Sequence, residues 1–410
     1  MSGMVSIIDV TNRDGAQASR ILIPKLAKTL LNIYLDRMGV FQSEIGFPTI
    51  RHEIGYINAN LKLAANGAIR TLRLQGWCRA VSDDVEAALS LCPGLRHLNL
   101  SFPASDVMIG AKFQGRKDFA DLFASFLQSA EIARHKGVES ISLGAEDASR
   151  APLERLCDLA AAAKAAGIDR IRYSDTLGLD DPVMLHKRIG ALSSATGLPI
   201  EVHCHNDLGL AVASSIAAAQ AATEAGVDAY INTTVNGYGE RAGNCDLVTT
   251  LLALNCSPGL KHIPLDSRLD LSQAWKIARY ASYAFGIPIP IMQPGVGMNA
   301  FAHESGIHAD GVLKNSRCYE PFEPSLVGRG EPLCTETGRI ISMGAYSGLS
   351  GFRHVYERLG VSFPDDATAR RVLQLVQLAN LQTLKPLTDD ELVLIAEHPE
   401  IVAEILTVTV

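Results

Sequence analysis

With 410 residues, 47% of them hydrophobic, the chain can bury a large core and exceeds the ~250 residues that one barrel domain takes. A formal net charge of −7, with no local block of Lys or Arg, leaves no basic field for a phosphate backbone, so nucleic acid is not an expected partner. No apolar run approaches the ~20 residues needed to span a bilayer, and the opening MSGMVSIIDV lacks the regions of a signal peptide, so the expectation is a cytoplasmic protein with no membrane partner.

In chain order, strand-like runs fall at 6–11, 41–47, 71–77, 97–102, 140–147, 170–175, 200–207 and 230–237, most of them about thirty residues apart. That interval holds one crossover helix each time, and segments such as KLAKTLLNIYLDRM and LCDLAAAAKAAG have apolar residues at helical spacing. Gly39, Gly67, Gly137, Gly167, Gly197 and Gly226 each follow such a segment, where a left-handed C′ residue ends a helix. The pattern predicts an α/β fold, a (β/α)8 TIM barrel over 1–265, followed by a small, mostly helical region over 266–410. A doubly wound open sheet also alternates, but the first strand has no G-x-G-x-x-G turn, and polar residues gather at the carboxyl ends of nearly all eight runs. Past residue 265, LSQAWKIARYASYAF reads as a helix, PIPIMQPGVGMN as an irregular connection, and 348–360, 365–382 and 388–398 as helical.

Eight cysteines are scattered through the chain without a C-x-x-C pair and read as reduced thiols. Cys204 lies between two histidines, but strand alternation turns it to the opposite face, which suits packing.

His203 and His205 are two apart and share the inner face of the seventh strand, where two imidazoles can grip one metal ion or simply hydrogen-bond. Asp14 in DVTNRDGAQ follows the first strand and Asn244 in NGYGERAGN follows the eighth. In a closed barrel these positions neighbour the seventh strand, so the four side chains converge on one corner of the mouth. One carboxylate, two imidazoles and an amide oxygen with open positions suit Mn²⁺, Mg²⁺ or Zn²⁺. NGYGERAGN lacks the lysine of a P-loop, and its glycines are read as turning Asn244 and Glu240 towards the mouth.

IDVTNRDGAQ, SEIGFP, EVHCHND, NGYGERAGN, SGIHADGVLK and YEPFEPSLVGR together resemble the metal-dependent acyl-CoA condensing enzymes of the homocitrate synthase and isopropylmalate synthase family, a branch of the DRE-TIM metallolyases. The resemblance runs to about residue 355, and the VTNRDG opening is most similar to the Re-type citrate synthase subgroup. It implies a Claisen condensation: acetyl-CoA loses an α proton, the enolate attacks the ketone of a 2-oxo acid, and the thioester is hydrolysed. By that resemblance Asp14, His203 and His205 are the principal metal ligands, with Asn244 a fourth or close neighbour. Arg13 matches the arginine that stabilises the developing alkoxide or enolate, Gln17 supports the same corner, and Thr176 matches a residue that binds the 2-oxo acid carboxylate, although a hydroxyl there can also be a helix cap. Glu44 and Glu146 end the second and fifth strands and are expected to face the mouth, Glu44 shaping the pocket and Glu146 serving proton transfer or orienting the base; solvated loop carboxylates are the alternative.

His308 lies outside the barrel in HESGIH, four residues after Glu304, which on a helix can orient the imidazole. The resemblance makes His308 the general base or its relay, with Tyr319 assisting, and implies a homodimer in which this segment reaches the partner's barrel mouth. Taken alone, the two read as a surface histidine and a packed tyrosine. Competing readings are an acyl-CoA lyase of the same superfamily, a non-catalytic relative, and a regulated isopropylmalate synthase, for whose feedback domain a chain ending at 410 leaves no room. For the acceptor, oxaloacetate comes first, 2-oxoglutarate second, and phosphonate or phosphinate analogues third. Arg73, Arg79, Lys112 and Arg172 are unranked candidates to hold its distal acidic group.

Overall fold

The computed structural model describes residues 3–303, 306–330, 343, 345 and 347–407. Eight parallel strands pair in sequence order and close through β1 and β8. They are β1 (Val5–Asp9), β2 (Gln42–Gly46), β3 (Arg73–Arg79), β4 (His97–Pro103), β5 (Ser140–Glu146), β6 (Arg170–Asp175), β7 (Ile200–Cys204) and β8 (Ala229–Thr233). The expected (β/α)8 barrel is present. Its outer helices are α1 (Lys25–Arg37), α2 (Arg51–Ala65), α3 (Ser82–Leu91), α4 (Asp106–Phe113), α5 (Phe119–His135), α6 (Leu153–Ala165), α7 (Pro182–Thr196), α8 (Ala211–Glu224) and α9 (Leu247–Cys256). The β4–β5 crossover holds two helices rather than one, because Gln114 and Gly115 take positive φ after α4 and Asp118 opens α5 with a capping box. All six glycines expected to end helices have φ between 60° and 87°.

Strand alternation sorts the residues into two environments. On one side Ile141, Leu143, Ile171, Tyr173, Val202 and Ile231 join the apolar shell beneath the helices. On the other, Arg170, Arg172, Glu201, Asn232, Gln42 and Glu44 meet across the lumen, all of them buried. A barrel lumen is ordinarily filled by branched apolar side chains. Here an unbroken run of ion pairs fills it, which requires every charge to be matched.

Beyond the barrel, α10 (Ala274–Phe285) packs on α1 and ends at Gly286 in the left-handed region. After α11 (Gly306–Lys314) come α12 (Leu349–Arg358), α13 (Asp366–Thr383), α14 (Asp389–Glu397) and α15 (Pro399–Leu406). The last helix was not expected: α14 stops at His398, and Pro399, which has no N–H to continue a helix, starts a new one at the position where a proline is tolerated. These helices fold back on the barrel. Tyr280 donates to Glu391 at 2.7 Å, Tyr34 to Asp390 at 2.5 Å, and Lys62 pairs with Glu404 at 2.6 Å. No helix among the described residues is long and apolar enough to cross a membrane.

Candidate metal centre and active-site cavity

The loop after β1 is tied down before it delivers its charged pair. Asn12 donates from its amide to the Lys28 carbonyl and to Asn32 of α1, both at 2.9 Å, while the Thr11 hydroxyl accepts the Val235 N–H at 2.8 Å and so joins this loop to the one after β8. Asp14 then precedes a 3₁₀ turn, Gly15–Gln17, in the N-cap position, yet its carboxylate accepts no capping hydrogen bond. It faces β7 instead: Oδ2 lies 3.0 Å from His203 Nε2 and 3.7 Å from His205 Nε2.

His203 is on β7, and His205 falls one residue beyond its end, held by a bridge to Asn244 in the β8 loop. One ligand atom from each of Asp14, His203 and His205 lies within 4.8 Å of the others, and all three residues are buried. Asn244 is buried beside them, and neither its Oδ1 nor its Nδ2 has a hydrogen-bond partner among the described residues; the same holds for His205 Nδ1. An unmet buried amide costs about 1–3 kcal/mol, and a cation at the corner would give Asn244 Oδ1 something to bind. The donor set of Asp14, His203 and His205, one carboxylate and two imidazoles, fits a divalent ion.

The electrostatics keep Asp14 and His205 in forms that can bind a cation. Burial works to raise the Asp14 carboxyl, but the Arg13 guanidinium and His203 outweigh it and hold the group well below the usual carboxylate range. Burial, reinforced by the neighbouring His203, lowers His205 to about 4, which leaves its imidazole neutral near pH 7.

These groups open into a cavity of about 210 Å³ that Arg13, Gln17, Glu146 and Thr176 also line. Arg13 lies 3.1 Å from Asp14 and is hydrogen-bonded through Nε to Glu44. The Thr176 hydroxyl accepts the Asp147 N–H at 2.9 Å, so its own proton is free to be donated towards the cavity. Glu146 pairs with Lys112 at 2.5 Å. Glu44 differs from its expected place at the mouth. It is fully buried, one layer down, where Arg13 covers it from above and Arg172 holds it from within the lumen at 2.5 Å.

His308 and Tyr319 do not line this cavity. They stack on each other with ring centroids 4.1 Å apart, next to His303, which pairs with Glu320 at 3.0 Å. Glu304, expected to orient His308, lies outside the described residues. Of the four cations considered for the acceptor's distal group, Arg73 stacks over Phe41, Arg79 forms a two-point pair with Asp84, and Lys112 is engaged by Glu146; only Arg172 lines the cavity.

Several lining residues were not singled out from the sequence: Phe47 and Trp77, in edge-to-face contact, Ser101, Ser174 and Arg241. Arg241 adopts φ 57°, an uncommon conformation for this residue, and is held there by a two-point pair with Asp207 at 2.9 Å and by a 2.6 Å hydrogen bond to the Thr176 carbonyl. It thereby clamps together the loops after β6, β7 and β8. Strand alternation in RIRYSD and EVHCH was the available signal for the lumen-facing charges.

Fold and site together define a (β/α)8 barrel with an aspartate–histidine–histidine corner, able to hold a metal ion, at the carboxyl end of its strands. The HMGL-like family model matches residues 4–280, and the homocitrate synthase post-HMGL domain-like model matches 296–383. A citrate (Re)-synthase of Dehalococcoides mccartyi is 53% identical over 99% of both chains, and a homocitrate synthase of Frankia alni is 36% identical over 87% of this chain and 94% of its own. Among solved structures, an HMG-CoA lyase from Acinetobacter baumannii superposes with a TM-score of 0.58 at 20% identity, over 74% of this chain and 98% of its own, a likeness of fold. The chain belongs to the HMGL-like family and is an acyltransferase of its synthase branch.

Proposed function

We propose that the chain condenses acetyl-CoA with oxaloacetate to give citrate and free CoA, one water being consumed in thioester hydrolysis. The observation that carries this reading is the convergence of Asp14, His203 and His205 at the edge of a small polar cavity, with Asn244, whose side-chain amide is buried and unpartnered among the described residues, bridged to His205. The 53% identity to a citrate (Re)-synthase over almost the whole chain supports the choice of acceptor. Asp14, His203, His205 and Asn244 would hold a divalent cation (Mn²⁺, Mg²⁺ or Zn²⁺), which when bound would supply Lewis-acid polarisation of the ketone.

The remaining steps belong to side chains. Arg13, oriented by Glu44, directs fixed positive charge at the oxygen where negative charge develops. Thr176 donates to the 2-oxo carboxylate, Gln17 lines the same wall, and Glu146 takes part in moving the α proton of acetyl-CoA. His308, assisted by Tyr319, acts as base or relay at the mouth of a second copy's barrel. In support, α11 carries Ile307 and Leu313 exposed at 75% and 88%, a surface that a homodimer would cover. The 266–410 region then serves both the dimer and the site. The described cysteines are all free, which fits a reducing cytoplasm.

The test is release of free thiol from acetyl-CoA with Mn²⁺ and each 2-oxo acid in turn. Release with oxaloacetate is expected. Release only with 2-oxoglutarate would move the assignment to homocitrate formation, as in the Frankia relative's name, and no release with any acceptor would end the synthase reading.

A further inference from the structure

Arg172 sits on the floor of the cavity with one edge of its guanidinium unused. The side chain is 2% exposed; Nε donates to Glu201 at 2.5 Å, and Nη2 donates to Glu44 at 2.5 Å and lies 3.4 Å from Gln75 Oε1. Nη1 has no partner among the described residues, and the residue lines the cavity shared with the metal corner. Beside it the Gln75 Nε2, also buried, has no acceptor. Of these two groups Arg172 lines the cavity, and Gln75 lies fully buried behind it.

Depth sets what they can reach. Arg172 and Ser174 on β6 and Thr176 just past its end follow one another at two-residue steps, and register pairs Ser174 with His203 and Arg172 with Glu201. Arg172 thus lies one two-residue step, ~6.6 Å along the strand, below the level of His203. A 2-oxo acid with its carboxylate and ketone at the corner extends its far end towards that floor.

Resting on the metal-corner reading above, we propose that Arg172 is the acceptor-specificity residue: its Nη1 edge binds the distal carboxylate of a short dicarboxylic 2-oxo acid. Glu44 and Glu201 hold the guanidinium in place from two sides, and Arg170 at 2.6 Å from Glu201 and Arg13 on Glu44 balance those two carboxylates in turn. The arginine is thus fixed before substrate arrives, with only its third edge to satisfy. An alkyl end would leave a buried charged donor unpaired, the situation in which hydrogen-bonding sites discriminate most strongly. Lysine cannot serve all three directions in one plane.

L-Malate and L-lactate are 2-hydroxy acids that differ in the distal carboxylate, and both are stable in the presence of manganese. Their dissociation constants are measured calorimetrically on the manganese-loaded enzyme, as wild type, Arg172→Lys and Arg172→Gln, with folding checked by circular dichroism. Wild type is expected to prefer malate by ~100-fold, and the preference should collapse to a few-fold in both variants. Arg172→Lys keeps a charge between Glu44 and Glu201, so it provides the comparison if Arg172→Gln does not fold. A wild-type preference near one, or a full preference surviving in a folded variant, overturns the proposal. Failure of both acids to bind manganese-loaded wild type overturns the metal-corner reading itself and this proposal with it.

Discussion

The metal corner and the α11 segment hold the two halves of the proposed chemistry in opposite states. At the corner each ligand is buried and supported: Asp14 by Arg13, His205 by its bridge to the Asn244 loop, and that loop by the Arg241–Asp207 clamp. On α11, His308 is exposed, stacked on Tyr319 with His303 edge-on nearby, and the same helix carries Ile307 and Leu313 exposed. The groups proposed to bind and polarise substrate thus lie within one barrel, whereas the proposed proton-transfer group is presented outward, where a second copy could meet it.

Damage to each half separately has different expected consequences. His203→Ala should abolish thiol release, a loss of at least ~10⁴-fold, together with tight manganese binding in calorimetry. His308→Ala should lower kcat by ~10²–10³-fold and leave manganese affinity unchanged, because the imidazole does not touch the corner. Co-refolding the two inactive variants should restore about a quarter of wild-type activity if α11 acts in trans, since half of the dimers are mixed and each holds one intact site. No recovery in proven mixed dimers would place both halves in a single chain.

Smaller effects sharpen the account of the barrel interior. Glu201→Gln removes the carboxylate shared by Arg170 and Arg172, and is expected to destabilise the fold by about 3 kcal/mol in urea unfolding. Asp9, fully buried on the shell side of β1 and bound to the Thr11 N–H and hydroxyl, has its carboxyl pushed up to about 7 by that burial. The folded chain thus keeps a proton that the unfolded chain releases near pH 4, and stability falls as pH rises between those values. Wild type should melt higher at pH 5.5 than at pH 8, and Asp9→Asn should flatten that difference; an unchanged pH dependence would contradict the assignment.

The barrel was legible because its period of about thirty residues and its helix-ending glycines are local signals, and the corner because alternation puts His203 and His205 on one face while closure brings β1 and β8 beside them. The cross-lumen contacts were not. Glu44, Arg172 and Glu201 come from β2, β6 and β7, and whether they share a layer depends on register around the barrel, which no stretch of sequence encodes by itself. For the same reason Glu44 was expected at the mouth when it lies below it, and Arg172 could not be separated from Arg73, Arg79 and Lys112. The Arg241 clamp was hidden because it joins three loops through one arginine in a left-handed conformation.

The most direct measurement is anomalous diffraction at the manganese edge from crystals of the manganese-soaked protein. A single strong peak at bonding distance from Asp14, His203 and His205, with the Asn244 amide oxygen turned towards it, is the predicted result. A peak elsewhere with that corner empty, or the three ligands splayed apart around no peak, would contradict the account.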